Sequence, residues 1–272
     1  MSKKKIMLLS DDLRMSSGVG TVSKNFVLGT LDKYDWVQVG GAIKHPEEGK
    51  IVDMNDSVRK ETGVEDAYLK IYPISGYGST DLLRAVIDME MGVNAILHYT
   101  DPRFWGFLYG MEHEIRQSIP IFYYNIWDDL PYPRWNEPFY ESCDLIMNIS
   151  KQTVAIVNDV WKKNPPEDWQ VTYIPHGINE KYFYPISIFD EEYKQVESMR
   201  KQLTGDNEIE FIIFYNNRNI RRKSPGDVVL AFKTFCDMLP KEKADKCVLL
   251  MHTQPVDQNG TDLPIVVDEM CP

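Results

Sequence analysis

The sequence predicts an α/β fold built on a mostly parallel sheet, and three observations carry that prediction. Short β-branched and aromatic runs recur along the chain. Helical patterns fall between them. Several of the strand runs are apolar on both parities, as strands covered on both faces must be. The 272 residues are 43% hydrophobic, 12% aromatic and 26% charged, which is enough apolar surface for one large core or two smaller ones.

The elements follow in order. A strand over residues 6–10 gathers Ile6, Met7, Leu8 and Leu9. Asp11 and Asp12 follow it with no small-residue cleavage site, so the N-terminus reads as a strand and not as a secretory leader. The loop Ser17-Gly18-Val19-Gly20 leads into a helix over 19–31. Further strands are expected at 37–42, 68–73, 95–100, 121–127, 145–150, 171–175, 210–216 and 247–252. A helix over 80–91 opens after Ser79 and another over 151–162 after Ser150, both with hydroxyls suited to cap a first turn. The 190–203 helix is polar and charged. The 226–239 helix carries Val228, Val229, Phe232 and Phe235 at helical spacing, with Pro225 near its start. The alternation pauses after Pro185, which divides the chain into a Rossmann-like domain, 1–185, and a second region, 186–272. That region holds a strand, a helix, a strand and a tail over 258–272, fewer residues than the typical ~100–150 of an α/β domain. The expectation is a truncated or unusually short chain.

Composition bears on the class, though a local basic groove stays open. A net charge of −11 is opposite to the basic face of a general nucleic-acid binder. Cys143, Cys236, Cys247 and Cys271 have no paired spacing, which points to a reducing, cytoplasmic location and no zinc site. No apolar run is long enough to span a bilayer.

Candidate chemistry sits at strand ends. Gly18, Val19 and Gly20 read either as an anion-binding helix start or as a tight turn needing positive φ. Arg218, Arg221, Arg222 and Lys223 crowd one strand-to-helix loop, where four cations in an acidic protein suit a diphosphate. His98 and His176 close two strands, and ligands of open α/β sheets gather there. Asp101, Asp128 and Gly177 stand beside them as substrate-facing candidates. His113 belongs to a surface helix, and His45 and His252 carry no constellation. Tyr99, Phe104, Trp105, Trp127, Tyr132, Trp135 and Phe139 crowd one region, mostly as packing, with some free to stack on a sugar or base.

These pieces resemble a known family. Ile174-Pro175-His176-Gly177-Ile178-Asn179-Glu180-Lys181-Tyr182-Phe183-Tyr184-Pro185 is similar to the interdomain signature of retaining GT-B glycosyltransferases of the group 1, family 4 type. The segment from Asp144 to Thr153 resembles the strand and helix before that signature. Ser17-Gly18-Val19-Gly20 resembles the family's glycine loop. Asn217-Arg218 through Lys223 resembles its donor loop, with Asn217 where a glycine is usual. Trp127-Asp128-Asp129 stands where the family commonly has a His-Asp pair, and the family's two donor-domain glutamates fall beyond His252. The resemblance implies a GT-B fold in which Gly177 permits a sharp exit from the strand toward the interdomain cleft. It implies that Arg218 and Lys223 grip the donor diphosphate, and that His98 lies near the transferred sugar. It also implies transfer of a sugar from a nucleotide-diphosphate sugar to an acceptor hydroxyl with retention, no cofactor and no required divalent ion. Acceptor choice would lie in loops 44–62 and 101–114. Two alternatives are a phage-type DNA-base glycosyltransferase, with Lys3, Lys4, Lys5, Arg103 and Arg134 on its acceptor face, and a split subunit that needs a partner chain.

Overall fold

The computed structural model describes residues 3–42, 46–205 and 208–271. His45 and the start of the expected 44–62 loop lie outside them. The chain divides into two compact units, one up to Ile178 and one from Asn179.

The first unit is an eight-stranded sheet. Its strands are β1 (Lys4–Asp11), β2 (Tyr34–Gly41), β3 (Val52–Asp53), β4 (Leu69–Pro73), β5 (Val93–Tyr99), β6 (Ile121–Asn125), β7 (Leu145–Asn148) and β8 (Val171–Tyr173). The order is β3-β4-β2-β1-β5-β6-β7-β8, and every pairing is parallel except β3 with β4. Alternate residues of each strand feed two apolar layers. Met7, Leu9 and Ile96 enter one, with Leu83 and Val86 of α3 (Thr80–Glu90) and Ile156, Val157 and Val160 of α7 (Lys151–Val160). Leu8, Trp36 and Leu97 enter the other, under Val27 of α1 (Gly18–Leu28) and Val58 of α2 (Asn55–Thr62). This two-sided burial is why the strands read as continuous apolar runs. The short helices α4 (Gly106–Gly110), α5 (Glu112–Ile115) and α6 (Glu137–Glu141) fill the connections. His113 on α5 is exposed, as expected.

Both expected caps form. Ser79 Oγ accepts from the Leu82 amide, and Ser150 and Thr153 make a reciprocal capping box. Two strands end earlier than their apolar runs. β6 stops at Asn125, whose Oδ1 takes the Trp127 amide at 3.0 Å and turns the chain. β8 stops at Tyr173. The Ile174 amide makes the last ladder bond, to the Asn148 carbonyl at 2.8 Å, and Pro175 has no N–H to continue it. Gly177, expected to allow the exit, has no left-handed φ, and a Cβ there would meet open space. The proline, not the glycine, ends the strand.

The second unit pairs β9 (Phe211–Asn216) with β10 (Cys247–His252) in parallel. Around them stand α8 (Tyr193–Thr204), α9 (Pro225–Asp237), α10 (Lys241–Ala244) and α11 (Leu263–Met270). α8 buries no residue, and α11 lies within the stretch expected to be a tail. Tyr215, Pro225, Val229 and Leu263 are the unit's buried apolar residues among those described.

Candidate functional site

In the first unit the strand order reverses between β1 and β5. The crevice outside the carboxyl ends of those strands is where an open α/β sheet takes its ligand. β1 ends in Asp11, and Asp12 follows it. Asp12 is buried and clamped by Arg14, with Nε 3.0 Å from Oδ1 and Nη2 2.7 Å from Oδ2. Gln38, buried on β2, fixes the same turn. Its Nε2 donates to Ser10 Oγ and to the Asp11 carbonyl, both at 2.8 Å, and its Oε1 accepts from the Leu13 amide at 3.0 Å.

Ser17 then caps α1, its Oγ accepting from the Gly20 amide at 3.0 Å and donating to Asp11 Oδ2 at 3.4 Å. Burial pushes the Asp11 carboxyl above the usual range, and the Ser17 bond partly offsets it. Neither Gly18 nor Gly20 has a positive φ, so the tight-turn reading of this pair is corrected. Gly20 is required for another reason: a Cβ there would fall 2.6 Å from the Met15 carbonyl oxygen. Its amide is used by the cap. The amides of Gly18 and Val19 lie in the first turn, where a helix offers them no acceptor, and Gly18 is exposed.

His98 closes β5 but is fully enclosed. Its Nδ1 lies 2.7 Å from Tyr109 Oη, and its ring stacks on Tyr123 at 5.0 Å. Burial lowers its pKa to about 3, with Asp101 opposing weakly, so it stands neutral. Its Nε2 is buried with no hydrogen-bond partner. Asp101 caps the 3-10 turn Pro102–Trp105 and holds Arg103, Nη2 to Oδ2 at 2.5 Å. His176 is exposed but lays its ring edge-on against Tyr124 at 5.4 Å and Tyr99 at 6.0 Å. That partial cover lowers its pKa. Asp128 is exposed at the start of the loop after β6, where its carbonyl accepts from Gln152.

In the second unit the cationic loop follows β9. Asn219 anchors it: buried, it reaches the carbonyls of Gln254, Pro255 and Thr261 through Nδ2 and takes the Thr261 amide on Oδ1. Arg218 is left on the surface, 66% exposed, with Nε 3.3 Å from Asp257 Oδ2. It rims an open pocket of about 490 Å³ shared with Asn216, Asn217, His252, Thr253 and Gln254. His252 Nδ1 lies 2.9 Å from Asn216 Oδ1. Thr253 Oγ1 is buried without a partner. Lys223 ends a 3-10 turn, Arg221–Lys223, at the start of α9, and its carbonyl accepts from Tyr215 Oη.

The structure therefore gathers Arg218 with a pocket at the β9 and β10 ends. In the first unit Gly18, Asp101 and His176 each lie beyond a strand end with no contact among them, and His98 is enclosed. Asn219, His252 and Asp257 were not legible as site residues. All three meet their partners 35 to 42 residues away in sequence, so nothing local marks them. Among the described residues no three His, Cys, Asp or Glu side chains gather as a metal site, and no helix is long and apolar enough to cross a membrane.

No protein-family model matches the sequence, and no curated protein matches it. Solved structures do match. HepE of Anabaena, in complex with UDP and glucose, superposes with a TM-score of 0.62 at 11% identity, over 98% of this chain and 66% of that one. The α,α-trehalose 6-phosphate synthase of Burkholderia multivorans gives 0.60 at 12% identity, over 99% and 69%. A UDP-forming α,α-trehalose-phosphate synthase of Burkholderia xenovorans, in complex with glucose-6-phosphate, gives 0.58 at 12%, over 98% and 69%. This chain spans about two thirds of the length of those proteins. At such identities the likeness establishes the fold, and the fold is the one expected: a mostly parallel α/β architecture of the GT-B type.

Proposed function

We propose that the chain is a retaining glycosyltransferase that moves a sugar from a nucleotide-diphosphate sugar to an acceptor hydroxyl. The observation that carries this reading is the Arg218 loop. A cation held at a pocket rim, on a loop between a strand end and a helix start, is built to meet a diphosphate. HepE, which shares the fold, is seen in complex with UDP and glucose, and the Burkholderia xenovorans trehalose-phosphate synthase that shares it is UDP-forming.

In this reading negative charge grows on the departing diphosphate as the anomeric C–O bond breaks. Arg218 and Lys223 stabilise that charge. Protein cations thus supply the charge that a divalent ion would otherwise bring. Residues 1–185 take the acceptor, with His176 and Asp128 as polar contacts, and residues 186–272 take the donor. The unpartnered Nε2 of His98 is the atom that would meet a sugar hydroxyl, once its cover moves. We assign the protein to the cytoplasm on its cysteine spacing.

A second reading, a subunit completed by a partner chain, is favoured by one observation. β9 and β10 pair only with each other among the described residues, and Phe214 of β9 is 64% exposed. Parallel sheets are normally covered on both faces. Thermal melting with UDP, GDP and ADP tests the first reading, because a ligand that binds only the folded state raises the melting temperature. A shift with one nucleotide supports it and names the donor base. No shift with any of them refutes it for this chain alone and favours the second.

A further inference from the structure

The loops that follow β5 and β6 carry an aromatic surface that the donor chemistry does not use. Phe104 is 52% exposed, Trp135 56% and Tyr132 42%. Each ring is fixed from beneath or beside. Tyr77 stacks flat on Phe104, with centroids 4.7 Å apart and planes 2° from parallel. Trp127 meets Trp135 edge-on at 6.3 Å, and the Arg103 guanidinium covers Trp127 at 4.8 Å. Arg134 lies over Tyr132 at 5.8 Å. Rings ordered before binding lose little entropy when a ligand arrives.

The charge of this surface selects the ligand. Arg103 is already held by Asp101, and Arg134 Nη2 lies 2.8 Å from Asp159 Oδ2, close in charge though poorly aligned as a hydrogen bond. Arg103 is thereby neutralised, whereas Arg134 shares Asp159 with Lys162, whose Nζ lies 3.0 Å from Oδ1. Asp128 and Asp129, both exposed and next to Trp127 in sequence, add acceptors to the same loop. Nucleic acid and anionic lipid need an excess of cations, and here Asp101, Asp128, Asp129 and Asp159 outnumber Arg103, Arg134 and Lys162. A neutral oligosaccharide needs apolar ring faces for its C–H faces and carboxylates for its hydroxyls, and both are present.

We propose that the Phe104–Trp127–Trp135 surface binds a neutral glycan of several sugar units. Calling that glycan the acceptor rests on the glycosyl-transfer reading; its binding does not.

The test titrates the full chain with maltotriose, cellotriose and chitotriose, read by calorimetry and tryptophan emission, beside Phe104→Ala and Trp135→Ala. UDP melting shifts are measured in parallel. At least one trisaccharide should bind the parent chain and weaken about ten-fold or more in each variant, as for aromatic anchors elsewhere. Melting temperature and any UDP shift should stay unchanged, because both side chains are more than half exposed. If no trisaccharide binds a chain that still answers to UDP, the glycan proposal falls and the transferase reading stands. If a trisaccharide binds and no nucleotide does, the reverse holds. Trisaccharide binding untouched by either substitution overturns the assigned surface. So does binding of duplex DNA, anionic vesicles or a second copy of the chain that both substitutions abolish.

Discussion

Asn219→Ala should unlock the Arg218 loop without touching any ligand. The side chain is fully buried. Nδ2 donates to the carbonyls of Gln254 at 3.1 Å, Pro255 at 3.3 Å and Thr261 at 2.7 Å, and Oδ1 accepts from the Thr261 amide at 3.1 Å. Two N–H groups serve three carbonyls, so about three bonds are effective. At ~0.5–1.5 kcal/mol net for each, with buried groups left unpaired, truncation costs about 2–4 kcal/mol. The loss is local to the second unit. Gly260 packs so tightly here that a Cβ on it would lie 2.2 Å from Asn219 Oδ1, so no neighbour can fill the space by a small shift. Hydrogen exchange is the assay. Protection of the Thr261 amide should fall by ~30–1000-fold, the same 2–4 kcal/mol expressed as a ratio. All six tryptophans precede Ile178, so tryptophan fluorescence follows the first unit alone and should show an unchanged transition. Thr261 protection equal to the parent's would refute the reasoning.

Arg218→Ala and Lys223→Ala should each lower turnover by ~10²–10³ and abolish the nucleotide melting shift, by analogy with deleting one charge-stabilising donor. Because Arg218 is 66% exposed, Thr261 protection should survive its removal, unlike in Asn219→Ala. Full activity of Lys223→Ala in an active preparation would remove that residue from the site. Gly20→Ala should destabilise the first unit by ~1–3 kcal/mol, since its Cβ would sit 2.6 Å from the Met15 carbonyl oxygen, whereas Gly18→Ala, facing open space, should cost far less. Equal urea midpoints for the two would contradict the close approach. His98 is held neutral with a folded pKa of about 3, below its ordinary 6.5, so the unfolded chain binds the extra proton between those values. The stability that His98 contributes is complete above pH ~6.5 and is lost toward pH ~3 at about 1.4 kcal/mol per pH unit. The fall measured by tryptophan fluorescence should lessen by up to one proton's slope in His98→Phe, and identical slopes would show that His98 is not the group that titrates.

The strands were legible because their two-sided burial writes continuous apolar runs into the sequence, and the caps because Ser79 and Ser150 act within three residues. α2 was missed because Val58 is its only buried residue in an otherwise polar stretch. β3 was missed because two residues form no pattern. The candidate site was legible only in part. Arg218 announced itself by charge against the average, but its pocket did not, because His252 meets Asn216 only through the β9–β10 register. His98 read as a strand-end ligand, and nothing local to residues 97–101 shows that Trp105, Tyr109 and Tyr123 enclose it.

By itself, then, the sequence determined the alternation of strand and helix, the parallel sheet and the cationic loop, since periodicity, capping and charge act over a few residues. Only the tertiary structure decided which histidine is enclosed, which arginines are already paired and which rings stay exposed, since burial and ion pairing depend on side chains brought from distant segments.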